Sequence, residues 1–249
     1  MIIAIDGYEA NVERRVGIGR YAYEILRNIA RIGPNHTFRI YLPQTQIPDM
    51  PKQGDRWEYH IAWPKHLWTF VGLPLALTIN RPDVIFSPTH YVPRWVSTPR
   101  VMAIMDVSYL EYPQMFRPRD LHQLVNWTAY GTRVARAILT ISEFSKRAII
   151  KAYNVPERAV YVTYPGLTMP KSTAQKNISG EYILSVGTLQ PRKNFVRLIE
   201  AFSTISAKYP NLTLVIVGKR GWLYEEILSA PKKFGVEDKV KFLDFVGDN

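Results

Sequence analysis

The chain has 249 residues, of which 47% are hydrophobic and 21% charged, with a net charge of +11 and no cysteine. It can bury the core of one large or two modest domains, and its composition excludes a disordered chain, a disulfide framework and thiolate metal sites. The charge would suit nucleic acid, anionic lipid or a phosphorylated ligand. The cations are spread along the chain, with no zinc-ligand spacing and no aromatic RNA-binding signature, so nucleic acid is set aside as a partner.

Residues 1–6 lack a basic leader and a cleavage site and read as a buried first strand. Strands are expected at 2–6, 37–42, 57–61, 84–86, 101–105, 137–141 and 160–162. Helices are expected at 19–32, 66–80, 118–136 and 142–153. In the first helix Ala22, Ile25, Leu26, Ile29 and Ile32 recur at helical spacing, and Ser142 with Ser145 marks the start of the last. The longest apolar stretch, 67–79, contains Gly72 and Pro74 and is too short to span a bilayer. Alternation of this kind predicts an α/β fold with a parallel sheet covered on both faces.

Residues 165–180 break the rhythm with Pro165, Gly166, Pro170, Ser172, Ser179 and Gly180. They read as a linker. The expected organisation is a first domain over 1–168, a linker over 169–180 and a partial second domain over 181–249. The second domain runs strand 182–186, helix 192–208, strand 212–217, helix 222–234 and strand 240–243. Three strands leave a sheet edge open. In this reading the first domain or a partner covers that edge, or the sequence is part of a longer one.

The strongest chemical signal is Arg192-Lys193. An apolar run ends at Gly187, a short turn follows, and two cations open the next helix. Helix starts favour anions, and two fixed cations add to that preference, which suits a diphosphate. The alternative is a solvated first turn, but cations there oppose the helix dipole, at a cost of up to about 1 kcal/mol. Lys219-Arg220-Gly221-Trp222 follows the next strand on the same edge and adds cations and an aromatic ring, or is a plain surface turn.

Near the amino terminus, Gly17-Ile18-Gly19 ends a long loop and opens a helix. Glycine permits close backbone approach to a ligand, though a flexible loop explains the pattern equally well. It is neither the dinucleotide fingerprint nor a P-loop. Asp106 follows a buried strand, where ligands bind in open α/β sheets; a turn-forming aspartate is the commoner case. His90, after the strand at 84–86, either binds substrate or is a hydrogen-bonded structural residue. No metal pattern joins it to His36, His60, His66 or His122.

Taken in order, these segments resemble the retaining glycosyltransferases of family 4, which have the GT-B architecture of two Rossmann-like domains. The matches are Gly17-Ile18-Gly19-Arg20-Tyr21, Asp83-Val84-Ile85-Phe86-Ser87-Pro88, Asp106-Val107-Ser108-Tyr109-Leu110-Glu111-Tyr112-Pro113, Ile141-Ser142-Glu143-Phe144-Ser145-Lys146, Gly187-Thr188-Leu189-Gln190-Pro191-Arg192-Lys193-Asn194 and Val217-Gly218-Lys219-Arg220-Gly221-Trp222. The mannosyltransferase-like branch, many of whose members build O-antigen or other surface polysaccharides, is the most similar.

The resemblance implies an enzyme that moves a hexose, mannose first, from a nucleotide-diphosphate sugar to a glycan or lipid-linked acceptor. The donor would be GDP-mannose or a UDP-sugar, with neither cofactor nor metal. Gly17, Gly19, Arg192, Lys193 and Lys219 would hold the donor. Arg192 and Lys193 would neutralise the leaving diphosphate, with Asp106 as the third catalytic group. Arg20, His90 and Tyr109 would meet the acceptor. The implied setting is cytoplasmic, peripheral at the inner face of a membrane, with an anionic lipid surface as a partner.

Two departures qualify this. Many relatives carry a histidine before the aspartate, where this chain has Met105. The family's paired glutamates belong beyond residue 248. A non-catalytic remnant or binding subunit, or a basic membrane scaffold, is the alternative.

Overall fold

The computed structural model describes residues 1–33, 35–167 and 178–246. The chain divides into two compact units, one of Met1–Glu111 and Arg119–Gly166, the other of Tyr112–Pro118 and Leu167–Asn249. Of the stretch expected to link two domains, residues 168–177 lie outside the described residues.

In the first unit the elements run β1 (Ile2–Asp6), α1 (Ile18–Ile32), β2 (Thr37–Leu42), β3 (Trp57–Ile61), α2 (Leu73–Ile79), β4 (Val84–Ser87), β5 (Arg100–Ala103), α3 (Ser108–Glu111), α4 (Pro118–Val134), β6 (Ala135–Thr140), α5 (Glu143–Tyr153) and β7 (Val160–Val162). The seven strands pair in parallel in the order β3-β2-β1-β4-β5-β6-β7. The order reverses between β1 and β4, so the crevice beyond their carboxyl ends is the switch point where open α/β sheets bind ligands.

Strand alternation sends neighbouring residues to opposite faces. Ile5, Ile40, Leu42 and Phe86 meet Ala22, Tyr23 and Leu26 of α1. Ala4, Tyr41 and Ile85 meet Trp68, Leu73 and Leu77 on the other face. A leucine buried in this way stabilises the fold by roughly 1.5–3 kcal/mol. At α5, Ser142 caps the helix by accepting the Ser145 N–H at 3.1 Å, as its position in the sequence signals.

The helix expected over 66–80 is three pieces: a tight turn at Lys65–Leu67, a wide π turn at Trp68–Gly72, and then α2. Gly72 lies against Pro64, whose carbonyl oxygen would be 2.7 Å from any Cβ placed there. The strand expected at 137–141 begins at Ala135, because α4 stops at Val134.

The second unit contains β8 (Tyr182–Val186), α6 (Phe195–Ser206), β9 (Thr213–Val217), α7 (Glu225–Lys233) and β10 (Val240–Leu243). Its three strands are parallel, in the order β10-β9-β8. Phe195, Ile199 and Phe202 recur at helical spacing and bury against Leu214, Ile216 and Ile227. Among the described residues β8 is an edge strand, and Leu184 and Val186 on it are exposed. Residues 112–118 group with this unit: Trp222 donates its indole N–H to the Met115 carbonyl at 2.8 Å and stacks on Phe116.

The helix expected over 192–208 begins later, at Phe195. Pro191–Lys193 is a separate 3-10 turn, and Asn194 (φ 56°) reverses the chain before the helix starts. Likewise α7 begins at Glu225 rather than 222.

Candidate functional site

In the second unit the site is built from two loops that leave the carboxyl ends of β8 and β9. They stay backbone-paired beyond the strands. Gly187 donates to the Val217 carbonyl at 2.8 Å, Leu189 to Lys219 at 3.0 Å, and Gly221 to Leu189 at 3.0 Å. Two glycines make this approach sterically feasible. A Cβ on Gly218 would lie 2.0 Å from the Gly187 oxygen, and one on Gly221 would lie 2.7 Å from the Leu189 oxygen.

This pairing places the Arg192–Lys193 turn and the Lys219–Arg220 turn on adjoining loops at one sheet edge. Lys193 folds back toward the strand end, its Cδ and Cε 3.8 Å from the Cβ position of Gly187. Arg192 and Lys219 are half-buried, Lys193 and Arg220 exposed. The Arg220 guanidinium lies 5.6 Å from the Tyr224 ring centre. Four cations stand on these two loops, and Asp244, at the end of the adjoining β10, is an acid on the same sheet edge, since Gly218 donates to the Leu243 carbonyl at 3.1 Å. Because Asn194 separates the cations from α6, the dipole cost expected of a first-turn placement does not apply. The case for an anion rests on the cation cluster itself. Gln190 is buried, and its amide oxygen has no protein donor among the described residues.

A shallow concavity of about 670 Å³ lies at the other end of β8, lined by Gly180, Glu181, Tyr182, Tyr209 and Leu212. It offers a carboxylate and no cation, so it does not suit a phosphate.

In the first unit, Gly17 adopts φ 51° at the start of α1, with open space where a Cβ would be. Gly19 serves packing: a Cβ there would lie 2.9 Å from the Glu9 carbonyl oxygen. The preceding loop is braced. Arg15 pairs with Asp49 and lies 3.8 Å from the Tyr23 ring centre, and Asn11 bonds Thr45 and Ile47. Arg20 pairs with Glu24 at 2.9 Å along α1.

His90, Asp106 and Tyr109 come together beyond β4 and β5. His90 Nε2 accepts the Met105 N–H at 3.3 Å, which leaves the ring proton on Nδ1. That nitrogen is buried without a partner among the described residues. Burial pushes the His90 pKa from 6.5 down to about 4, against the pull of the nearby Asp106 charge. Asp106 Oδ1 accepts the Ser108 N–H at 2.9 Å and its hydroxyl at 2.6 Å, capping α3. Tyr109 is 2% exposed, with its ring 6.0 Å from His90 and its hydroxyl 2.6 Å from that of Tyr153. Burial raises its pKa. Its contribution is packing of the His90 ring rather than an open surface.

Asp6 escaped the sequence reading. It ends β1 at the switch point and is buried. It accepts the Trp68 indole N–H at 3.0 Å and the Tyr8 N–H at 3.1 Å. Desolvation raises its pKa from 3.8 to about 7. Its signal in the sequence was an acid closing an otherwise apolar strand.

Residues 170–249 match the family model described as glycosyl transferases group 1. The chain is 23% identical over 264 residues to the O-antigen chain mannosyltransferase B of Escherichia coli, covering 93% of this chain and 68% of that protein. It spans only 31% to 36% of three further relatives, all glycosyltransferases. Among solved structures it is similar to WaaG, a glycosyltransferase involved in lipopolysaccharide biosynthesis (TM-score 0.69, 17% identity, 100% of this chain and 71% of that one). It is also similar to Anabaena HepE in complex with UDP and glucose (TM-score 0.66, 18% identity, 99% and 70%). These likenesses show the fold, which is GT-B, with a seven-stranded parallel sheet in the first unit and a three-stranded one in the second.

Proposed function

We propose that this chain is a glycosyl transferase of group 1 that moves a hexose from a nucleotide-diphosphate sugar to a glycan or lipid-linked acceptor, with retention and without a metal. The observation that carries the donor half is the pair of cation-bearing loops zipped together beyond β8 and β9. As the glycosidic bond to the diphosphate breaks, negative charge grows on the departing phosphate oxygens. Arg192 and Lys193 neutralise it, with Lys219 in support, and fixed charges that need no rearrangement are the effective kind. In a retaining transfer the departing phosphate oxygen takes the proton of the attacking acceptor hydroxyl on the same face of the sugar.

The acceptor half rests on the first unit. Neutral His90 offers an Nδ1–H donor, and Asp106 beside it orients a hydroxyl. This arrangement takes over from the histidine that Met105 replaces, since His90 is bonded to the Met105 backbone. Gly17 leaves room for a donor phosphate. Mannose is favoured by the E. coli relative, and a UDP-sugar by the HepE complex. The names of the lipopolysaccharide and O-antigen relatives support a part in surface-polysaccharide synthesis, which we place at the cytoplasmic face of a membrane.

The test is a thermal-shift screen with GDP, UDP and ADP on the 249-residue chain, repeated with Arg192→Ala/Lys193→Ala. A shift with GDP or UDP that the double variant loses supports the reading. No shift with any of the three nucleotides defeats it.

A further inference from the structure

The segment between β3 and β4 is apolar on two faces. Its inner face, Trp68, Leu73 and Leu77, fills the core against β1, β2 and β4. Its outer face is also apolar. Leu67, Val71, Leu75 and Ile79 recur at intervals of four across the tight turn, the π turn and α2 as an exposed apolar row. With Trp63 ahead of the row and Trp95 beside it, these side chains are 38% to 79% exposed. Loop residues 93–97 lie against the same segment: Arg94 donates its N–H to the Thr69 carbonyl at 3.1 Å, and the Trp95 ring is 6.0 Å from Phe70. Trp95 takes φ 53°, a backbone state that costs a non-glycine residue energy, and it does so while holding its indole in solvent.

The charges in this stretch are mostly of one sign. Between residues 62 and 105 there are four cations, Lys65, Arg81, Arg94 and Arg100, and one carboxylate, Asp83. Asp83 is tied to the Ile2 N–H at 2.7 Å. An apolar row with tryptophans at its edge, in a stretch where cations outnumber acids four to one, matches the boundary of an anionic bilayer, where indole sits at headgroup depth and cations meet lipid phosphates.

We propose that the Leu67–Ile79 face, with Trp63 and Trp95, is the element by which this chain inserts into an anionic lipid surface. This deepens the membrane part of the function proposed above and is independent of its donor chemistry, because the probe contains neither nucleotide nor sugar.

The experiment uses the full chain with vesicles of phosphatidylcholine alone and of phosphatidylcholine mixed with phosphatidylglycerol, by sedimentation at low and high salt. Binding to the mixed vesicles, weaker in high salt, is expected. Leu67→Ser and Leu75→Ser should each lower the partition coefficient roughly tenfold, with unchanged melting temperatures because both side chains face solvent. Ile32→Ser is the control. Ile32 is exposed on α1, the helix of the opposite sheet face, and the variant should bind as the parent does. Trp63→Phe/Trp95→Phe should still bind but lose most quenching of its fluorescence by brominated lipid. Equal binding by the leucine variants, or persistent quenching in the tryptophan variant, overturns the proposal. So does a parent that ignores vesicles but forms a dimer that Leu67→Ser/Leu75→Ser dissociates, since a second copy would then cover the face.

Discussion

His90 Nε2 accepts the backbone N–H of Met105 at 3.3 Å, and so a ring in one loop fixes the start of the next. The bond requires a neutral ring. Its pKa near 4 is the consequence of burial, and the pKa of Asp6 near 7 has the same cause acting on an acid. The two titrations have opposite signs.

Unfolding frees His90 to take up a proton at its ordinary 6.5, so its contribution to stability is lost as pH falls from 6.5 toward 4. Folding holds a proton on Asp6 that the unfolded chain releases, so its contribution is lost as pH rises from 3.8 toward 7. Between those limits they largely cancel. Each is worth at most about 1.4 kcal/mol per pH unit. Asp6→Asn should therefore make stability rise with pH across this window, and His90→Gln should make it fall. Urea melts at a series of pH values read the slopes. Equal slopes in the two variants would refute the assignment.

Arg192→Ala/Lys193→Ala should weaken nucleoside diphosphate binding by about a hundredfold or more, the scale of losing two charge-assisted contacts. Arg192→Lys should retain part of the affinity, because the charge survives and the planar fork does not. Isothermal calorimetry gives the numbers, and parental affinity in the double variant would remove the pair from the site.

Gly218→Ala would force a methyl group onto the Gly187 carbonyl, 2.0 Å away. Backbone cannot yield as a side chain does, so a cost of about 2–4 kcal/mol is expected, together with loss of nucleotide binding as the loops part. Gly54→Ala, where nothing lies within 4 Å of the new Cβ, should be close to neutral. Chemical denaturation of both variants checks the contrast.

Trp222→Phe keeps an aromatic ring against Phe116 but deletes the bond to the Met115 carbonyl. A loss of about 1 kcal/mol is expected, and Trp222→Ala should cost more. Limited chymotrypsin digestion should cut after Phe116 faster in the alanine variant. Unchanged digestion would mean that Trp222 does not hold the 112–118 segment.

Strands were the most legible elements. The runs at 2–6, 37–42, 57–61, 160–162, 182–186 and 240–243 coincide with the observed strands, because short apolar runs between turn residues have few other uses. Helix starts were less so. Pro191, Arg192 and Lys193 continue the helical pattern of residues 195–206, and only the left-handed Asn194 separates them. The stretch at 67–79 showed its apolar character but not its two faces, since periodicity cannot say which side of an all-apolar helix meets the sheet. Asp6 showed its type but not its raised pKa, which comes from burial, against the lowering pull of the hydrogen bonds from the Tyr8 N–H and from Trp68, sixty-two positions away. Tyr109 is expected at the acceptor from the resemblance alone; its ring is buried, and its hydroxyl partner, Tyr153, is on another helix.

β8 leaves a practical problem. Among the described residues it is bonded on one side only and shows Leu184 and Val186 to solvent. Such an edge is a template on which another strand can grow. At the high concentrations used for crystals or spectroscopy, this chain should lose material slowly to ordered self-pairing rather than to unfolding. A lysine at Val186 is the change that should lengthen its shelf life, visible as a monomer peak that survives concentration on a sizing column.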